Sequence, residues 1–175
     1  MESNRLTHLD GEGRAHMVDV GAKPVTWRRA VAEGRIRMKR ETLDAIRDGG
    51  VAKGDVLAVA RLAAIGGAKR ASETIPLCHP LALTSVEVEI EIEDEDEAEA
   101  DRPGLRLRVE TAVEARTGVE MEALCGVSAG LLAVYDMCKA LDRGMQIDEV
   151  RLVAKEGGRS GTWRRVNAED TRETK

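Results

Sequence analysis

The chain has 175 residues, a formal net charge of −5 and few aromatic side chains, with two Trp, one Tyr and no Phe. Hydrophobic residues make up 42% of it, which suits one domain with an aliphatic core. The negative charge and scarce aromatics argue against nucleic-acid binding, which depends on phosphate neutralisation and base stacking.

Three cysteines, Cys78, Cys125 and Cys138, are an odd number without a CxxC pair. Cys125 and Cys138 are too far apart on one predicted helix to share an ion, so no metal is expected. The N-terminal sequence has no apolar signal core, and no apolar run approaches the roughly 18 residues of a membrane span. These features predict a cytoplasmic protein with reduced thiols and no membrane contact.

The predicted elements begin after an N-terminal arm, residues 1–22, which we expect to be ordered only against a partner. Residues 23–40 hold seven Lys/Arg and one Glu, and form either a solvated face or a surface for an anionic small molecule. Helices are predicted at 40–48 and at 54–70. The Ala and Gly content of the second helix permits close approach of another element.

Alternation of apolar and acidic residues predicts a strand over residues 85–93, SVEVEIEIE. A second strand is predicted at 105–115, after an acidic hairpin loop, and the longest helix at 124–142. A strand at 147–155 precedes a Gly-rich loop and a charged tail, 163–175, expected to be disordered. This order predicts a single α+β domain over 23–162, a sandwich with helices packed on one face of an antiparallel sheet.

The segment TGVEMEAL, residues 117–124, carries two candidate acid–base groups, Glu120 and Glu122. On a helix these side chains would diverge by about 200°, whereas in an extended segment they point the same way. Because Thr117-Gly118 breaks a helix, we favour an extended segment in which the two carboxylates lie together and raise a pKa. The alternative is two exposed glutamates that favour the dipole at a helix start.

Three lysines are further candidates. Lys139 is three residues after Asp136, so the two side chains lie on one face of the long helix. They form either a surface ion pair or a partly buried pair in which the pKa of the lysine is lowered. Lys53 precedes the second helix, whose N-terminus favours anions, or is an ordinary exposed lysine. Lys155 begins AKEGGRSG, a loop able to wrap a phosphate although it lacks the spacing of a P-loop.

The segment TIPLCHP places His79 in a stiff turn between Pro76 and Pro80. Adjacent side chains in an extended chain diverge, which argues against a metal site or a catalytic pair formed by Cys78 and His79. The alternatives are a buried structural pair and a pocket histidine, with backbone groups of Leu77 and Cys78 available to a ligand. Together, these segments predict an acid–base enzyme that acts on a phosphorylated substrate.

Seven segments, in this order, resemble the MoaC family of cyclic pyranopterin monophosphate synthases: HMVDV, AKGDV, AKR, IPLCHPL, TGVEMEAL, YDMCKA and AKEGGRSG. The resemblance implies a ferredoxin-like α+β fold and a hexamer built as a trimer of dimers, with the pocket at a subunit interface. It implies a lyase without a redox cofactor, which converts 3′,8-cyclo-7,8-dihydroguanosine triphosphate, made by a radical SAM enzyme, into the pyranopterin and releases pyrophosphate.

Carried over by motif, the resemblance implies that Lys53, Asp136 and Lys139 are catalytic. It also implies a set of substrate-binding residues, which are Leu77, Cys78, His79, Glu120, Met121, Glu122, Lys69 and Lys155. Arg159 stands where the family often has lysine, so we expect phosphate contact there rather than proton transfer. The alternatives are another nucleotide-binding enzyme, such as a triphosphate hydrolase, and a non-catalytic oligomeric domain.

Overall fold

The computed structural model describes residues 12–94 and 103–166. Its elements, in chain order, are β1 (Thr26–Arg37), α1 (Arg40–Arg47), α2 (Val56–Lys69), α3 (Ala71–Thr74), β2 (Ser85–Glu93), β3 (Gly104–Ala115), α4 (Glu120–Cys138), β4 (Gln146–Glu156) and β5 (Trp163–Arg164). The strands form one antiparallel sheet of order β2-β3-β1-β4-β5. The four long strands and the helices between them follow the βαββαβ order, so the predicted ferredoxin-like fold is confirmed.

The central strand, β1, was not predicted from the sequence. Ala30, Ala32 and Ile36 on one side of it are fully buried. On the other side, Arg35 and Arg37 pair at 3.1 Å with carboxylates of two other strands, Glu93 of β2 and Asp148 of β4. Small alanines and paired arginines hide the apolar alternation by which a strand is recognised, which explains why this segment was described only as basic.

Helices α2 and α4 pack on each other as antiparallel neighbours through glycines. A Cβ added at Gly67 would lie 2.5 Å from Ala129 Cβ and 2.8 Å from the Cys125 carbonyl oxygen. One at Gly130 would lie 3.2 Å from Ala64 Cβ. The predicted close approach of α2 to another element is therefore confirmed, and α4 is its partner.

Helix α4 is the core helix of the fold. Among the described residues it alone has the length and mean hydropathy, 1.3, of a membrane span, and 50% of that stretch is buried inside the fold. Its other side, which includes Leu132, is exposed. An amphipathic helix with one side in a protein core accounts for this hydropathy.

Two boundary predictions were wrong. Helix α4 begins at Glu120 rather than at residue 124, so Glu120 and Glu122 lie in its first turn and not in an extended segment. The helix dipole stabilises acidic side chains in the first turn. The carbonyl oxygen of the buried Val119 accepts the first helical hydrogen bond, from the Ala123 amide. In addition, Trp163 and Arg164, assigned to the tail, pair with β4. Residues 167–175 and most of the acidic loop lie outside the described residues.

Candidate functional site

A cavity of about 790 Å³ lies where the start of β1 meets the ends of β3 and β4. The antiparallel register brings these chain ends together. Six basic residues line it against only two acidic ones, Glu120 and Glu156, and the six are Lys23, Arg28, Arg29, Arg116, Lys155 and Arg159. We call it the basic cavity, and its charge suits a multiply charged anion.

The arginines of the basic cavity are held in different ways. Arg29 pairs with Glu110 and Glu156, and the hydrogen bonds to Glu110 raise the pKa of Arg29. Arg28 instead donates to the Ala115 carbonyl oxygen at 3.4 Å. Arg29 is therefore largely neutralised within the fold, whereas Arg28 keeps its charge facing the cavity.

The loop after β4 covers one side of the basic cavity. The Lys155 ammonium donates to the hydroxyl of Ser160 and, at 2.7 Å, to the Gly161 carbonyl oxygen. Gly157 has a φ of 92°, and a Cβ there would collide with the Trp27 carbonyl oxygen. The glycines thus let the loop fold back on β1, with Lys155 facing the cavity.

A second cavity, about 230 Å³, contains six of the sequence-predicted substrate-binding residues: Leu77, Cys78, His79, Glu120, Met121 and Glu122. We call it the carboxylate cavity. It shares part of its wall with the basic cavity through Val18, Lys23, Thr117, Gly118 and Glu120. One elongated molecule can therefore reach both cavities.

Glu122 is the buried acid of the carboxylate cavity, with 3% of its surface exposed. Burial raises its pKa, and its Oε1 lies 3.5 Å from the Cys78 thiol. Burial and the adjacent Glu122 also raise the pKa of Cys78 to about 12, so the thiol is a hydrogen-bond donor at neutral pH. Glu122 Oε2 is buried without a hydrogen-bond partner among the described residues and is suited to meet a polar ligand.

His79 faces the arm. Its Nε2 lies 2.9 Å from the Val18 carbonyl oxygen, so this nitrogen carries the hydrogen and donates. The stiff TIPLCHP turn thus presents Cys78 to Glu122 and His79 to the arm, as expected for adjacent side chains that diverge.

A separate cluster lies at the other end of α4. Asp136 accepts from Lys53 at 2.8 Å and from Lys139 at 2.7 Å, and these two hydrogen bonds lower the pKa of Asp136 to about 2. The predicted pairing of Asp136 with Lys139 is confirmed. The side chains of Lys53 and Lys139 are 45% and 51% exposed. In the single chain, Asp136 and Lys139 therefore form a surface ion pair and not a buried one.

One chain does not bring all the candidate residues together. Glu120 and Asp136 are 16 residues apart on α4, about 24 Å at 1.5 Å per residue. Lys69, at the exposed end of α2, lines neither cavity. The structure therefore holds two separate groups of candidate residues, the paired cavities at one end of α4 and the lysine–aspartate cluster at the other.

Sequence analysis missed several cavity residues, notably Lys23, Arg28 and Arg116. The first two belong to the basic stretch 23–40, whose charge had suggested an anionic ligand. Arg116 gave no signal of its own, because only the pairing of β1 with β3 brings the end of β3 beside the start of β1.

The fold and site define a ferredoxin-like α+β protein in which a cavity lined by basic residues adjoins a cavity with a buried acid. The MoaC family model matches residues 17–158, and the chain belongs to the MoaC family. A curated relative from Thermomicrobium roseum, named cyclic pyranopterin monophosphate synthase, is 58% identical over 164 residues. The match covers 94% of this chain and 95% of the relative.

Proposed function

We propose that the chain is a cyclic pyranopterin monophosphate synthase, a lyase of molybdenum cofactor biosynthesis. It converts 3′,8-cyclo-7,8-dihydroguanosine triphosphate into cyclic pyranopterin monophosphate and pyrophosphate. Family membership and the near full-length relative support this reaction. The structural observation that carries it is the shared wall between the basic and carboxylate cavities, since the substrate is a triphosphate joined to a guanine-derived ring.

The triphosphate fits the basic cavity. Arg28, Arg116 and Arg159 offer planar guanidinium groups, which bind phosphate oxygens in pairs, and Lys155 supplies a point charge. Lys155 would exchange its contacts with Ser160 and Gly161 for phosphate oxygens.

The ring fits the carboxylate cavity. Glu122, whose pKa is raised by burial, provides a polar edge, and Oε2 meets a ring N–H as acceptor or, when protonated, a ring acceptor as donor. Met121 and Leu77 provide apolar contact for the ring. The ring is thus held beside the cavity that takes the phosphates.

The catalytic lysines reach this substrate from a second copy of the chain. On α4, Met121, Cys125, Ser128, Leu132 and Asp136 follow one another at helical spacing and form a half-buried to exposed stripe. Met121 at one end lines the carboxylate cavity, and Asp136 at the other belongs to the lysine cluster. A two-fold axis near Ser128 would exchange the two ends and bring each cluster to its partner's cavity.

Exposed apolar side chains and charge favour this pairing. Leu132 on α4 is 60% exposed, and Leu62 and Val59 on the neighbouring α2 are 70% and 38% exposed. Exposed apolar side chains on two neighbouring helices are a feature of interfaces. The acidic first turn of α4 also complements the lysines at its far end. We propose that three such dimers form a hexamer.

Within the composite site, Asp136 orients Lys53 and Lys139, which deliver and remove the protons needed for ring opening and closure. To close the cyclic phosphate, a substrate hydroxyl oxygen forms a bond to the first phosphorus of the triphosphate. The bond between that phosphorus and the pyrophosphate leaving group breaks. The basic cavity stabilises the charge that develops on the leaving group. His79 contributes to substrate binding in the carboxylate cavity.

The upstream and cellular context follows from the substrate. A radical SAM enzyme supplies the cyclic dihydroguanosine triphosphate, and this reaction needs no redox cofactor. The three thiols, Cys78, Cys125 and Cys138, are free, which suits the reducing conditions of the cytoplasm.

The test is to incubate the protein with the cyclic dihydroguanosine triphosphate and to follow pyranopterin and pyrophosphate by mass spectrometry. Wild type is expected to form both in equal amounts, and Lys53→Ala and Lys139→Ala to form neither. Lys39→Ala, an exposed lysine before α1, is the matched control. Pyrophosphate without pyranopterin would indicate a triphosphate hydrolase, and no product would refute the proposal.

A further inference from the structure

The arm contributes to the site through backbone groups that two side chains of the domain hold in place. His79 Nε2 contacts the Val18 carbonyl oxygen at 2.9 Å. Arg116 Nε donates to the carbonyl oxygen of Lys23, the first residue after the arm, at 3.0 Å. These two bonds fix the chain on either side of a short turn.

The turn itself is well defined. The Lys23 amide donates to the Val20 carbonyl oxygen at 3.0 Å, and the Gly21 amide to the Asp19 carboxylate at 2.8 Å. Val18 and Val20 are half-buried, whereas Asp19 between them is exposed. This pattern turns the two valines toward the domain.

The same residues form the wall that the two cavities share. Val18 and Lys23 line both cavities, and Val20 lines the carboxylate cavity. His79 and Arg116 therefore hold the carbonyl groups of Val18 and Lys23, which both line the two cavities.

We infer that His79 and Arg116 are positioning residues that hold residues 18–23, the end of the arm and Lys23, as the wall at the junction between the two cavities. The arm is then a working part of the site, and Lys23 faces the part of the substrate that joins the ring to the phosphates. For His79, this role is carried by its ring N–H and does not require proton transfer to the substrate. The roles of the arm, Lys23 and His79 toward the substrate rest on the proposed function, whereas the anchoring of the arm does not.

The variants separate a donated hydrogen bond from other properties of His79. Gln places an amide N–H close to the position of the histidine Nε2, so His79→Gln keeps the donor. His79→Leu has a similar apolar bulk but no donor. Arg116→Ala removes the second anchor, and Arg116→Lys keeps a cation that reaches the Lys23 carbonyl less well.

The first measurement is hydrogen–deuterium exchange of the full-length protein, read at the Gly21 and Lys23 amides. We expect about 5- to 10-fold faster exchange in His79→Leu and Arg116→Ala, the effect of losing one hydrogen bond, with His79→Gln close to wild type. Peptide 85–93, from β2, serves as the control for global unfolding. Unchanged exchange in the two loss variants, or equal acceleration in the β2 peptide, would overturn the inference.

The second measurement is steady-state kinetics with the cyclic dihydroguanosine triphosphate. Loss of the wall is expected to raise KM about 10-fold in His79→Leu with kcat within about threefold of wild type, and His79→Gln is expected to restore KM. A loss of kcat alone that His79→Gln does not restore would assign His79 to proton transfer and overturn the inference. If wild type itself shows no turnover, the proposed function fails, while the exchange measurement still decides whether the arm is anchored.

Discussion

The Asp136 carboxylate lies between two ammonium groups, with Lys53 Nζ 2.8 Å from Oδ2 and Lys139 Nζ 2.7 Å from Oδ1. Lys53 also donates to the Asp136 backbone carbonyl oxygen at 2.7 Å. The loop before α2 is thereby tied to the end of α4. One aspartate sets the position of both proposed proton-transfer groups.

Replacing Asp136 by Asn keeps the shape of the side chain and removes its charge. Both lysines then lose their ionic anchor, and we expect kcat to fall by about 10²- to 10⁴-fold, the range for a mispositioned acid–base group. Because Asp136 is exposed, the free energy of unfolding should change little. Asp44→Asn, on α1 with its side chain 50% exposed, is the control, and a kcat for Asp136→Asn within threefold of wild type would contradict the proposed role.

Cys78 should be a slow nucleophile despite its place in a cavity. With a pKa of about 12, its thiolate fraction at pH 8 is at least about 10²-fold below that of a free cysteine. Alkylation by iodoacetamide, read at Cys78 by peptide mass spectrometry, should accelerate as pH rises toward 12. Glu122→Gln removes two of the causes that raise this pKa and should speed the reaction at pH 8. Alkylation of wild type at the rate of a free cysteine peptide would be inconsistent with the Cys78–Glu122 contact.

The adjacent glycines Gly66 and Gly67 should respond in opposite ways to alanine. A methyl group at Gly67 meets α4 atoms at 2.5 Å and 2.8 Å, so Gly67→Ala should lower the free energy of unfolding by about 1–3 kcal/mol. At Gly66 it meets only the movable guanidinium of Arg70, and the gain in helix propensity should make Gly66→Ala neutral or stabilising by up to about 1 kcal/mol. Urea unfolding at one protein concentration measures both. Equal effects would mean that α2 and α4 are not in contact through Gly67.

The exposed stripe of α4 should be required for assembly. Leu132→Glu places a charge at the proposed two-fold contact and should shift the protein toward monomer in sedimentation velocity, with loss of activity and unchanged circular dichroism. Val166→Glu, at a position 71% exposed after β5, is the control. A Leu132→Glu protein that keeps the wild-type assembly and activity would exclude this face as the interface.

The sequence predicted the parts of the fold that have clear periodicity. Strand β2 alternates Val and Ile with Glu, and its bounds agree with the structure to within a residue. Strand β1 was missed because its buried positions are filled by small residues such as Ala30 and Ala32, which give a weak apolar signal. The start of α4 was predicted too late. Thr117-Gly118 was expected to keep the residues after it extended, whereas the helix begins directly after Val119.

For the site, short motifs identified most side chains of the carboxylate cavity and the pair Asp136 and Lys139, which lie at the end of one helix. The contact of Lys53 with Asp136, 83 residues further along the chain, follows only from the packing of the fold. The basic cavity was only partly foreseen, because it is assembled from chain ends that are far apart in sequence. Arg116 and Arg28 become neighbours only through the pairing of β3 with β1. The separation of the two groups of candidate residues likewise follows from the length of α4, which motif order alone does not reveal.

The central claim is that each active site combines the cavities of one chain with the Lys53–Asp136–Lys139 cluster of another. Subunit complementation tests it directly, with Lys53→Ala and Glu122→Gln as two variants that are each expected to be inactive. When the two are unfolded together and refolded, half of the dimers are mixed, and one of the two sites in each mixed dimer is intact. We therefore expect about a quarter of wild-type pyranopterin formation from the mixture. A mixture no more active than the two separate variants would contradict a shared site and place the whole reaction within one chain.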